Sequence, residues 1–125
     1  MASDTMRIMI VEDDSEVAES VADLLSHHGY LVEIADNGEV ALERAQTEDF
    51  SITIMDVHMP VMNGADGCLE IKRIKPEARV VMMTGQDEWV PASVSRVGAE
   101  GLLRKPFSPQ ELMSLVDSIT PRRAN

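Results

Sequence analysis

Five short apolar runs recur along this chain: Arg7 to Val11, Leu31 to Ala35, Ile52 to Met55, Val80 to Met83 and Gly101 to Leu103. Each is near-continuously apolar instead of alternating with polar residues, the pattern of strands covered on both faces. Between them the apolar residues switch to helical spacing. Val17, Val21, Leu24 and Leu25 form a stripe after a Ser15 cap, and that helix ends near Gly29. Val40, Ala41 and Ala45 follow Asn37-Gly38, while Leu69, Ile71 and Ile74 form a stripe that Pro76 stops. Val90, Val94 and Val97 mark a fourth helix, and Leu112, Leu115, Val116 and Ile119 a fifth that Ser108 and Pro109 suit as a start. Strand and helix alternating five times predict an α/β domain on a parallel sheet with right-handed crossovers.

Such a sheet binds ligands beyond the carboxyl ends of its strands, at the switch point in strand order. The residues predicted there form a short set: Glu12-Asp13-Asp14 after the first strand, Asp56 after the third, Thr84-Gly85 after the fourth and Lys105-Pro106 after the fifth. Three consecutive acids repel one another and each loses hydration when crowded. A hard cation among the oxygens makes the cluster tolerable, and Mg²⁺, which takes one or two carboxylates plus a phosphate, fits Glu12, Asp13 and Asp56. Asp56 then has the chemistry of a nucleophile toward phosphorus, giving an acyl phosphate while the cation screens its charge. Thr84 supplies a hydroxyl for one phosphoryl oxygen and Lys105 a cation for another. Asp14 is read as a helix cap or solvated acid, with a water-mediated metal role as the alternative.

Composition narrows the partners. Eleven basic against 22 acidic residues give a net charge of −11, which argues against nucleic acid as a direct partner. The longest apolar runs are too short to span a bilayer, and "MASDTMRIMIVEDD" lacks the basic start of a signal peptide, so the expected location is the cytoplasm. The single cysteine, Cys68, permits no internal disulfide and reads as packing, as do Met55, Met59, Met82 and Met83. Trp89, the one tryptophan, reads as a loop anchor or a contact surface.

With these residues in place, the chain resembles the receiver domain of two-component response regulators. The matching features are Glu12-Asp13, Asp56 within "MDVHMPVMNG", Thr84 and Lys105-Pro106; "DNGEVALE" and "GAEGLLRKPF" also resemble family segments. The likeness runs from about residue 6 to residue 119, leaving 1–5 and 120–125 as termini expected to be flexible. It implies a flavodoxin-like (βα)5 three-layer sandwich with strand order 2-1-3-4-5. By the same resemblance, Asp56 accepts a phosphoryl group from a sensor histidine kinase or a histidine phosphotransfer protein. Glu12, Asp13, Asp56 and the backbone carbonyl of His58 bind Mg²⁺, and Lys105-Pro106 is a cis peptide. The phosphorylated form would then change its binding to a downstream effector protein or domain, with the receiver turning over no separate substrate.

Three positions depart from or tune the family pattern. Leu102 stands three residues before Lys105, where the family usually has an aromatic ring that rotates as the threonine moves. A leucine has no ring to exchange, so displacement of Thr84 would act by another route. His58 and Gln86, two residues beyond Asp56 and Thr84, occupy the positions that tune phosphate lifetime. The alternatives are weaker. A haloacid-dehalogenase-type phosphatase carries a second acid two residues after its nucleophile, where this chain has His58. An FMN binder needs hydroxyls and amides after the first strand, not Glu-Asp-Asp. A phosphorylation-independent pseudo-receiver, acting as a protein-binding module, is the remaining alternative, and Leu102 is what raises it.

Overall fold

A computed structural model describes residues 6–59, 62–85 and 96–120. Its strands are β1 (Arg7–Val11), β2 (Leu31–Ala35), β3 (Ile52–Asp56), β4 (Arg79–Gly85) and β5 (Gly101–Lys105). Its helices are α1 (Ser15–His27), α2 (Gly38–Thr47), α3 (Gly64–Ile74) and α4 (Pro109–Ile119). All strands are parallel, in the order β2-β1-β3-β4-β5, the expected flavodoxin-like topology. Gln86, Trp89, Val90 and Val94 lie outside the described residues. Among the described residues no helix is long and apolar enough to cross a membrane.

Strand alternation divides the core into two layers. Met9, Val11, Met55, Val80 and Met82 face α2 and α3 through Ala41, Ala45, Ala65, Cys68 and Ile71. Ile8, Ile10, Ile52, Ile54, Val81 and Met83 face α1 and α4 through Ala18, Val21, Leu25, Leu112 and Val116. Two-sided burial holds for β1, β3 and β4 but not for β2 and β5. Those two are the sheet edges, and Leu31, Ile34 and Leu102 are exposed on them. The α3 stripe also differs from expectation: Leu69 is 53% exposed, and Gly64, Ala65, Gly67, Cys68 and Ile71 form the buried face. Small side chains carry that face because α3 packs close to β3. Met55, Met59, Met82 and Met83 are all buried, as expected of packing residues.

Helix starts are set by side-chain caps. Asp14, not Ser15, is the N-cap of α1: its backbone is extended and its carboxylate accepts the Glu16 and Val17 amides. Asn37 caps α2 and Asn63 caps α3. Ser108 and Glu111 form a reciprocal capping box at α4, with Pro109 in the first turn. Away from the carboxyl edge, Arg7 pairs with Glu33 and Glu48, and Arg44 with Glu33, tying β1, β2 and α2 together.

Candidate functional site

The register of the sheet assembles the site. Val11 pairs with Met55, so Glu12 and Asp56 leave neighbouring parallel strands side by side. Gly85 pairs with Lys105, which puts the lysine at the same end of β5. Ligand oxygens of Glu12, Asp13 and Asp56 lie within 4.8 Å of one another. Glu12 is 2% exposed and Asp56 5%, whereas Asp13 is exposed, so two buried carboxylates sit beside a third that faces solvent. Lys105 bridges the buried pair, its Nζ donating to Glu12 Oε1 at 2.8 Å and to Asp56 Oδ2 at 2.7 Å. The Lys105-Pro106 peptide is cis, as expected.

Backbone amides fix the carboxylates further. The His58 amide donates to Asp56 Oδ1 at 2.8 Å, and the Asp14 amide donates to Glu12 Oε2 at 3.2 Å. Asp56 is thus held at both oxygens, one by an amide and one by an ammonium. The His58 side chain itself is exposed. Thr84 is fully buried in β4, one residue beyond Met83, the register partner of Asp56. Leu102 is 40% exposed on the β5 edge, paired with Met82 of β4.

Electrostatics follow from burial. Desolvation pushes the Glu12 carboxyl up to about 7. The hydrogen bonds from Lys105 and the Asp14 amide oppose that rise, and the adjacent Asp56 carboxylate adds to it. Burial works against the charge on Lys105, yet its hydrogen bonds to Asp56 and Glu12, with their charges, hold its pKa above the ordinary lysine value. The donor set suits a hard divalent cation: carboxylate oxygens at one strand edge, beside an exposed acid.

Sequence reasoning named Glu12, Asp13, Asp56 and Lys105, and the fold brings them together. It did not name Gly64. A Cβ there would stand 2.3 Å from the Asp56 carbonyl oxygen and 2.9 Å from Val57 Cα, so α3 can start only with glycine against the end of β3. Its amide donates to the Val57 carbonyl at 2.8 Å, closing the loop from Asp56 to α3. The Asn63-Gly64 dipeptide was the available signal: a capping residue followed by a residue without a side chain.

Comparison with known proteins agrees with this geometry. The family model for the response regulator receiver domain matches residues 8–117. A transcriptional regulatory protein CpxR homolog of Haemophilus influenzae is 32% identical over 120 residues, covering 95% of this chain and 52% of its own length. The PhoP alkaline phosphatase synthesis transcriptional regulatory protein of Bacillus subtilis is 31% identical, covering 93% of this chain and 49% of its own. This chain therefore spans about half the length of those curated relatives. A putative response regulator from Chloroflexus aurantiacus superposes with a TM-score of 0.86 at 31% identity, covering 92% of this chain and 97% of that one. The Thermotoga maritima response regulator TrrA, solved in complex with Mg²⁺-BeF, gives 0.84 at 27% identity, covering 92% and 99%. The chain belongs to the response regulator receiver family, whose members are signalling modules.

Proposed function

We propose, taking receiver membership as the premise, that this domain accepts a phosphoryl group on Asp56 in a Mg²⁺-dependent reaction and thereby changes its binding to a partner. The observation that carries this reading is the position of Asp56: 5% exposed, held at one oxygen by the His58 amide and at the other by Lys105, within a carboxylate triad. Glu12, Asp13, Asp56 and the His58 carbonyl would hold the cation, which supplies charge screening for the attack of an anion on a phosphoryl group. That TrrA was solved with Mg²⁺ and a beryllofluoride supports the assignment.

The donor is a phosphohistidine on a sensor kinase or phosphotransfer protein. An Asp56 oxygen forms the new O–P bond as the N–P bond to the donor imidazole breaks; Asp56 becomes an acyl phosphate, and the donor leaves as a neutral histidine that keeps the proton on its other ring nitrogen. Lys105, already within hydrogen-bond reach of Asp56, transfers its hydrogen bond to a phosphoryl oxygen, and the Thr84 hydroxyl takes another. His58 and Gln86 tune hydrolysis, and Leu102 leaves the conformational response to Thr84 and its neighbours. The net charge of −11 makes the output of the domain a protein contact and not a direct nucleic-acid one.

Intact mass after incubation with acetyl phosphate tests this. One phosphoryl adduct that requires both Mg²⁺ and Asp56, being absent from Asp56→Ala, is the expected result. No adduct, no beryllofluoride complex and no Mg²⁺ binding would overturn it and leave a phosphorylation-independent protein-binding module.

A further inference from the structure

Methionine placement around the loop from Asp56 to α3 carries a separate consequence. Met62 is half-buried, and its side chain lies across two glycines from different helices. A Cβ at Gly38, the first residue of α2, would stand 3.1 Å from both Met62 Cβ and Sδ. A Cβ at Gly67 of α3 would stand 3.8 Å from the same sulfur and 2.8 Å from Met55 Sδ. The thioether therefore lies in a seat whose tight wall is Gly38, where a Cβ would crowd both Met62 Cβ and Sδ, while Gly67 stands at ordinary contact distance. Two residues later, Gly64 presses against the Asp56 carbonyl oxygen, so the position of this loop is tied to the position of Asp56.

Residue exposure narrows the choice among the described methionines. Met9, Met55, Met82 and Met83 are fully buried and Met59 is 9% exposed. Among the described methionines only Met6, Met62 and Met113 keep intermediate exposure. Met6 precedes β1 at the far end of the sheet, and Met113, a residue of α4, packs on the opposite core layer. Of these three, Met62 is the one packed against α2 and α3 beside the Asp56 loop.

We propose that Met62 is a modification site, at which oxidation by a peroxide lowers phosphoryl acceptance by Asp56. This rests on the phosphoacceptor reading given above. In the reaction the peroxide O–O bond breaks, one oxygen passes to the thioether sulfur, and hydrogen peroxide is reduced to water as the sulfur becomes a sulfoxide. The added oxygen enlarges and polarises a side chain that already lies close against Gly38, where a polar atom without a hydrogen-bond partner is unfavourable. Met62 leaves its seat, and the loop through Asn63 and Gly64 moves with it.

The experiment treats the whole chain with hydrogen peroxide, maps methionine oxidation by peptide mass, and measures Asp56 phosphorylation by acetyl phosphate in Mg²⁺. Met62→Leu, a volume-conserving and non-oxidisable change, runs in parallel. The expected result is a sulfoxide at Met62 and a fall in rate of about tenfold, the scale of a small misplacement of a reacting group. The fall is absent in Met62→Leu and reversed when methionine sulfoxide reductase removes the oxygen. Oxidised Met62 with an unchanged rate, or an equal fall in Met62→Leu, would overturn the proposal alone. Absence of any adduct on untreated protein would overturn the phosphoacceptor reading, and this one with it.

Discussion

Replacing Glu12 with glutamine separates the cost of burying a charge from every other contribution at this site. Glutamine copies the shape of the protonated acid and never ionises. In the folded wild type, burial raises the Glu12 pKa from the ordinary 4.5 to about 7. The folded state therefore holds a proton that the unfolded chain has already released across that window. By linkage, stability falls with rising pH wherever the folded state binds more protons. The loss begins near pH 4.5, accumulates to about pH 7 and then levels off. At roughly 1.4 kcal/mol per pH unit, the full window amounts to about 3 kcal/mol. Lys105 does not confuse the reading. Its raised pKa means that its contribution is present below the ordinary lysine value and lost only at higher pH, above this window.

The assay is urea unfolding of both proteins in EDTA at several pH values between about 4.5 and 8. The Glu12→Gln variant should gain on wild type by about 3 kcal/mol across this range, most of it before pH 7. Saturating Mg²⁺ should flatten the wild-type slope, since a cation requires the carboxylate form. A gap between the two proteins that stays constant with pH, without divalent ions, would refute the reasoning.

Two further outcomes follow from the same geometry. Gly64→Ala puts a methyl 2.3 Å from the Asp56 carbonyl oxygen, where backbone must move, and should cost about 3 kcal/mol by overpacking. Thermal unfolding and acetyl-phosphate labelling report it, and a melting temperature equal to wild type would contradict the close approach. Lys105→Met leaves Glu12 and Asp56 facing each other without the cation that bridges them at 2.8 and 2.7 Å. It should lower stability more at about pH 8 than at pH 5, with Mg²⁺ restoring part of the loss; a pH-independent effect in unfolding titrations would count against the bridge.

What was legible in the sequence is set by which physical quantity each residue reports. Central strands are read from composition because burial on both faces strongly favours apolar side chains, as Ile52, Ile54 and Met55 illustrate around the one buried Thr53. Edge strands carry a weaker constraint: Leu31 and Leu102 look like core residues but are 56% and 40% exposed, since each edge has solvent on one side. The α1 start was ambiguous between Asp14 and Ser15 because both side chains cap well, and only the extended backbone at Asp14 decides it. By periodicity Leu69 reads as part of the α3 core face, because large apolar residues dominate such an argument. The face actually buried is built of Gly64, Ala65, Gly67 and Cys68. The same distinction runs through the site. Glu12, Asp13, Asp56 and Lys105 announce themselves by charge at strand ends. The amides of Asp14 and His58, which hold Glu12 Oε2 and Asp56 Oδ1, belong to no residue type and come only with the backbone path. Gly64 is the extreme case, acting through an atom it lacks. A receiver site is therefore specified twice, by side chains that perform chemistry and by backbone that aims them. Substitutions in the second set, Gly64→Ala foremost, should impair phosphorylation while every chemically recognisable residue remains in place.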